Sequence, residues 1–373
     1  MEEWRLIDLG FAEPLIAQAF YEAVAIAIDR GLSQNTIILV QPSSPYVCVG
    51  YHQRIKDEVD IEYCEKKKLP IIRRGQGGGT CYLDSSQIFY QIIANEESEV
   101  IPKSVEELFE KMLKATVYVY RKLGIPAEYK PINDVVVEGR KISGNGAGRI
   151  GKAIILVGNI ILDLDYDSMC RVLKVPDEKF RDKIAKSMRE WVSSIKKELG
   201  YIPPTEKIKE LLKEAYEKTL NVKLTTSRPT EEEWKIFYEE VRPRHESKEW
   251  LYMPETKHEW LSRTVKIADG IRIVKANYKA KKMIKITAEL LENKIIDISI
   301  SGDFFAIPEE AVSKLEKMLT GVKIERKKIS EVIKRFYDET KVKVVGASPE
   351  DFVEAIMRIR NEIERYLSTI KPF

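Results

Sequence analysis

Residues 133–147 read Asn133-Asp134-Val135-Val136-Val137-Glu138-Gly139-Arg140-Lys141-Ile142-Ser143-Gly144-Asn145-Gly146-Ala147. A β-branched run meets Glu138-Gly139 and then resumes, which is the pattern of a hairpin. Lys141 falls near the start of the return strand. From there its ammonium could enter a site as a compact cation that touches an acyl oxygen and a phosphate together. A lysine on a hairpin suits an ordinary surface position equally well, so this stretch alone leaves both readings open.

Upstream, a short strand expected over 70–74 leads into Ile71-Ile72-Arg73-Arg74-Gly75-Gln76-Gly77-Gly78-Gly79-Thr80-Cys81-Tyr82-Leu83-Asp84. Three consecutive glycines expose backbone N–H groups and permit φ > 0, so the chain can wrap an anion or approach a planar ligand closely. The two arginines supply permanent charge and forked donors suited to a phosphate. Neither G-x-x-x-x-G-K-[ST] nor a helix-opening G-x-G-x-x-G is present. A flexible turn is the competing reading.

Outward from these stretches the pattern is α+β. Residues 13–30 predict a helix with Pro14 in its first turn and Gly31 as its stop. Runs at 36–41 and 46–50, separated by Pro42-Ser43-Ser44-Pro45, predict strand–turn–strand. A helix is expected over 57–69, a strand over 87–94, and an amphipathic helix over 104–124 with Leu108, Met112, Ala115, Val119 and Leu123 on one face. Strands follow at 134–137, 141–143 and 153–162, and 166–240 reads as mainly helical. The segment 241–259 lacks periodicity and is the expected junction between domains 1–245 and 258–373. The second domain predicts strands at 263–267, 272–278, 284–291 and 294–301, then helices at 308–319, 329–340 and 349–367.

The 373 residues carry 62 Lys+Arg against 59 Asp+Glu, a net charge of +3 that argues against a nucleic-acid-coating role. No apolar run approaches the roughly 18 residues of a membrane span, and the N-terminus lacks the pattern of a signal peptide. The scattered Cys48, Cys64, Cys81 and Cys170 read as reduced thiols, and with three histidines no metal centre is expected. A cytoplasmic location follows. Abundant Lys, Glu and Arg with sparse Gln and Asn suit a hot environment.

Taken together, the motifs resemble the biotin/lipoate ligase and octanoyltransferase family, and within it the lipoate–protein ligases. The resemblance rests on Arg-Arg-x-x-Gly-Gly-Gly at 73–79 and Asn-Asp-Val-x-Val-x-Gly-Arg-Lys-Ile-Ser-Gly-x-x-Ala at 133–147. Val49-Gly50-Tyr51-His52-Gln53 and Gly158-Asn159-Ile160-Ile161-Leu162 match two further family elements. The resemblance covers 1–240, and the remainder is similar to the accessory C-terminal domain of lipoate ligases.

This resemblance implies a mixed-sheet catalytic domain and an AMP-forming activity. Lipoate would attack the α-phosphate of ATP, accompanied by Mg²⁺, to give lipoyl-AMP, and a lysine of an acceptor protein would then take the lipoyl group. It implies that Arg74 and Gly77, Gly78, Gly79, Thr80, Cys81 and Tyr82 line the adenylate pocket. Lys141 would hold the acyl-adenylate, Asp134 would assist ATP or Mg²⁺ placement, and Ser143 and Gly144 would shape the wall. The implied acceptors are lipoyl domains of 2-oxo acid dehydrogenase acyltransferase subunits or the glycine cleavage H protein.

The chain departs from the family at Leu83, where bacterial relatives often have a histidine, and at Gln76, where a small residue is common. Three alternatives remain. An ATP-independent octanoyltransferase would need a cysteine nucleophile, but Lys130-Pro131-Ile132 stands where one subgroup carries it, and Cys81 and Cys170 read as packing residues. A biotin ligase would carry Gly-Arg-Gly-Arg-x-Gly, which is absent. A non-catalytic relative would have little reason to keep the arginine–glycine–lysine set. Trp234, Trp250 and Trp260 near the junction suit core packing or partner docking, with packing preferred.

Overall fold

The structure is a computed structural model that describes residues 1–175, 178–253, 265–268 and 271–369. It forms two compact units. The first comprises Met1–Val49, Glu58–Arg74 and Thr80–Leu251. The second comprises Gly50–Asp57, Gly75–Gly79 and the described residues from Tyr252 onward.

In the first unit the strands are β1 (Glu2–Ala12), β2 (Thr36–Pro42), β3 (Tyr46–Val49), β4 (Ile71–Arg73), β5 (Cys81–Leu83), β6 (Gln87–Asn95), β7 (Ala127–Lys130), β8 (Asp134–Val137), β9 (Arg140–Ile150), β10 (Ala153–Ile161) and β11 (Val222–Ser227). Eight of them make one sheet in the order β11-β1-β2-β6-β10-β9-β8-β7. β1 runs parallel to β11 and β2, and the remaining pairs are antiparallel.

The helix Pro14–Asp29 lies against this sheet, with Pro14 in its first turn as expected. Alanines at 17, 19, 23, 25 and 27 keep it thin enough to be buried nearly all round, beside Ile38, Phe89 and Ile155. The helix Val105–Lys122 is amphipathic and packs on Thr205–Leu220. Its Ser104 cap accepts from Glu107 N–H at 3.1 Å, an interaction that contributes about 1 kcal/mol.

The sequence reading needs correction at several places. The expected strand–turn–strand forms as β2 and β3, but the two do not pair as a hairpin. All seven residues of β2 are buried and both its edges are taken, by β1 and β6. β3 therefore joins a separate three-stranded sheet, β4-β3-β5. β11 interrupts the segment read as mainly helical, because Val222 and Leu224 alternate inward against β1. The helix expected over 57–69 is two pieces, Ile55–Glu58 and Ile61–Lys67, the second capped by Asp60. β9 runs on to Ile150, its glycines facing the bulky Val157 and Ile155 of β10.

The second unit has an antiparallel sheet of β12 (Val265–Ala268), β13 (Ile271–Lys279), β14 (Met283–Leu291) and β15 (Lys294–Gly302). Helices Ala311–Leu319, Arg326–Thr340 and Pro349–Thr369 complete its core, in which Ile284, Ile286, Ile298 and Ile300 meet Leu315, Phe336 and Ile356. Of the expected junction, 242–246 and 248–252 are short helices, whereas 254–259 lie outside the described residues, as do Trp260 and the first two residues of the strand expected at 263–267.

Candidate functional site

Lys141 owes its position to two backbone irregularities. Glu138 and Gly139 both take positive φ (47° and 79°), the signature of the tight primed hairpin turn. Further along the ladder Val135 faces Ser143 but Val136 faces Lys141, so Ile142 is an extra residue, a β-bulge. In a regular strand residues 141 and 143 would share a face. The bulge moves Lys141 to the face of Asp134 and Gly144, which are partners across the ladder. Its Nζ lies 2.7 Å from Asp134 Oδ1. A Cβ on Gly144 would come within 3.0 Å of the Lys141 Cε and 3.1 Å of Nζ, so glycine leaves the lysine its path. The backbone is held from the other edge, where Ser193 N–H donates to the Lys141 carbonyl at 2.8 Å. Both charged groups are partly exposed, so their pairing contributes little stability and chiefly fixes position.

The opposite face of β9 is buried and carries a hydrogen-bonded cluster around Tyr90. The Tyr90 hydroxyl donates to Asn145 Oδ1 at 2.5 Å, accepts from Thr116 at 2.8 Å and lies 3.2 Å from Ser143 Oγ. Burial pushes this hydroxyl up to about 12, so it remains a neutral donor. Asn145 and Asn133 each donate to the other's carbonyl, at 3.0 and 2.5 Å. Gly158 makes the cluster possible, because a Cβ there would lie 2.0 Å from Asn145 Oδ1 and 2.5 Å from the Tyr90 hydroxyl. Where the β9–β10 ladder ends, Gly144 N–H donates to Asn159 Oδ1 at 3.0 Å, and Asn159 donates to Gln87 at 2.8 Å. Ser143 thus joins a network with Tyr90, Thr116, Asn145 and Asn133, and Gly144 a second one with Asn159 and Gln87; none of these partners was read as a site residue. Asn133, Asn145 and Asn159 lie inside the quoted motifs, so asparagines flanked by glycine and β-branched residues were the available signal. Nothing in the sequence marks Tyr90.

The arginine–glycine stretch divides. Arg73 is fully buried and donates to the carbonyls of Trp250 and Leu251 at 2.9–3.1 Å, while Trp250 Nε1 donates back to the Arg73 carbonyl. Its expected part in phosphate binding is therefore corrected, since its donors close the helix Lys248–Tyr252. Trp250 is engaged there, and Trp234 packs on Phe20 with ring centroids 4.4 Å apart. Arg74 follows β4, and its Nη1 donates to Cys48 Sγ at 3.4 Å. Thr80 and Tyr82 are partly exposed. Cys81, read as a packing residue, is exposed at the start of β5, which is a second correction. Gly77, Gly78 and Gly79 belong to the second unit. Gly78 has φ +95°. A Cβ on Gly77 would lie 2.4 Å from the Phe304 carbonyl oxygen.

In chemical terms the hairpin presents a cation held at one carboxylate. Such a group stabilises negative charge developing on a carboxyl or phosphoryl oxygen.

Comparison with known proteins supplies the remaining findings. Residues 13–217 match the family model of the lipoyl protein ligase A/B catalytic domain, and residues 275–356 match that of the bacterial lipoate protein ligase C-terminus. The chain is 28% identical to octanoyltransferase LipM of Halalkalibacterium halodurans, over 68% of this chain and 99% of that protein. It is 26% identical to lipoate-protein ligase LplJ of Bacillus subtilis, over 80% of this chain and 85% of that protein. Among solved structures it is similar to the bi-partite lipoate protein ligase from Thermoplasma acidophilum, at 27% identity and TM-score 0.60, over 69% of this chain and all of that one.

Proposed function

Because this chain belongs to the lipoyl protein ligase A/B catalytic domain family, we propose that it is an AMP-forming lipoate–protein ligase acting on lipoyl-acceptor proteins. The observation that carries the choice within the family is the second unit. Octanoyltransferase relatives are matched along nearly their whole length by about two thirds of this chain, whereas the second unit carries the C-terminal pattern of lipoate protein ligases.

The first step joins a carboxylate oxygen of lipoate to the α-phosphorus of ATP and expels pyrophosphate. The second joins an acceptor lysine nitrogen to the acyl carbon and expels AMP, the amine losing a proton. Neither step needs an enzyme nucleophile. Lys141 neutralises the charge that gathers first on the pentavalent phosphorus and then on the acyl oxygen, and Asp134 holds its ammonium until substrate arrives. Arg74, Thr80, Cys81 and Tyr82, together with Gly77, Gly78 and Gly79, are proposed to contact the nucleotide. Mg²⁺ would arrive on the ATP phosphates, and the described residues offer no ready-made cluster of three or more ligands to hold it alone. The proposed acceptors are lipoyl domains of 2-oxo acid dehydrogenases or the glycine cleavage H protein.

The transferase reading has one residue in its favour, the exposed thiol of Cys81. The other cysteines suit it poorly: burial pushes the thiols of Cys48 and Cys170 up, and that of Cys64 up to about 11. The deciding experiment supplies a lipoyl domain with either ATP and lipoate, or octanoyl-carrier protein without ATP, and reads the acceptor mass. Acylation in the first mixture alone is expected. Acylation in the second alone would replace the ligase reading with octanoyl transfer.

A further inference from the structure

Cys48 on β3 and Cys81 on β5 stand directly opposite each other in an antiparallel ladder. Residues so placed share a face, with Cα atoms about 4.5 or 5.5 Å apart. That separation lies within the roughly 4.4–6.8 Å that a disulfide spans. The two thiols differ in access: Cys81 is exposed, and Cys48 is 1% exposed. Cys48 is set among polar groups. Its thiol donates to Gln18 Oε1 at 3.3 Å, beside the Tyr46 hydroxyl that donates to the same oxygen, and Arg74 donates to its sulfur. Cys170, by contrast, is buried with Met188 Sδ 3.4 Å from its sulfur, and Cys64 is buried in the helix Ile61–Lys67.

We propose that Cys48 and Cys81 form a redox modification site, converted by a peroxide into a cross-strand disulfide. The exposed Cys81 sulfur, as thiolate, attacks one peroxide oxygen. The O–O bond breaks, and the departing hydroxide takes a proton and leaves as water. Cys48 then gives up its proton and attacks the resulting sulfenic sulfur, so that an S–S bond forms, the S–O bond breaks and a second water leaves. Two thiols are oxidised and one peroxide is reduced to two waters. An exposed attacking cysteine with a buried resolving partner is the order of events this pair permits. Oxidation also commits the sulfur that accepts from Arg74, and so reaches two residues of the proposed nucleotide site, Arg74 through that contact and Cys81 directly.

The test reads covalent state and is independent of the ligase reading. Full-length protein is reduced, treated with hydrogen peroxide, alkylated and weighed intact, then digested without reductant. The expected result is protection of two thiols, a loss of about 2 Da before alkylation, and a cross-linked peptide joining 48 to 81 that dithiothreitol releases. Cys81→Ser, at an exposed position and so safe for folding, should abolish the species, as should Cys48→Ser. Four alkylated thiols after peroxide, sulfinic acid at Cys81 without a cross-link, or survival of the species in Cys81→Ser would overturn the proposal.

Discussion

The Lys141 hairpin and the triple-glycine stretch share a description on paper: each follows a β-branched run, each is rich in glycine, and each carries basic residues. Folded, they use their glycines for different ends. Gly144 and Gly158 leave room for side chains, the Lys141 ammonium on one face of the sheet and the Tyr90–Asn145 pair on the other. Gly77 leaves room for a backbone, the Phe304 carbonyl of the second unit. Glycine in a motif thus says that something comes close, and only the fold says what. The polar residues differ likewise, since Lys141 stays half-open at its carboxylate while Arg73 is consumed in closing a helix.

This comparison can be broken most sharply at Lys141. Lys141→Ala should lower lipoate-dependent adenylation about 10²–10³-fold, the usual cost of a missing transition-state donor, with little change in melting temperature. A similar loss in Gly77→Ala without any loss of stability would make the glycine stretch a ligand loop first and a packing element second. The account predicts the reverse for Gly77→Ala: destabilisation of about 1–3 kcal/mol from overpacking against a backbone atom, read by urea unfolding. Gly158→Ala should be as costly, because the new methyl collides with two hydrogen-bonded atoms and strands buried donors, at about 1–3 kcal/mol each.

A finer test separates positioning from charge. Asp134→Asn keeps Lys141 charged but loosens its hold, and should lower adenylation about tenfold, or 1.4 kcal/mol. Unchanged activity would mean that Gly144 and the bulge orient the lysine unaided. The smallest effect on activity is expected at Glu316 in the second unit, whose carboxyl burial raises to about 7 although Ile300 N–H donates to it. The folded protein keeps this proton between about pH 4.5 and 7, where the unfolded chain has lost it. Its contribution to stability is therefore complete below pH 4.5 and is lost as pH rises through 7. Glu316→Gln should flatten that decline, narrowing the melting-temperature difference between pH 5 and pH 8 by roughly 5–10 °C.

Much of this could be read beforehand, for physical reasons. Pro14 and the alanine-rich run announced a buried helix, and Glu138-Gly139 announced a turn that needs positive φ twice. The family pattern at 133–147 drew attention to Lys141, Asp134, Ser143 and Gly144, which the structure brings together on one hairpin. The bulge at Ile142 could not be read, because nothing local distinguishes it from a regular strand and it arises from how β8 and β9 settle. The separation of β2 from β3 depends on partners distant in sequence, β1 and β6, that occupy both edges of β2. Arg73 and Arg74 are adjacent and identical in type, yet only the neighbourhood of Trp250 assigns one of them to structure.

The most direct test of the central claim is exchange of labelled pyrophosphate into ATP by the full-length chain, with and without lipoate, beside Lys141→Ala. The account predicts exchange that requires lipoate and collapses in the variant while its melting temperature holds. Exchange that persists in Lys141→Ala, or none from folded wild-type protein, would contradict it.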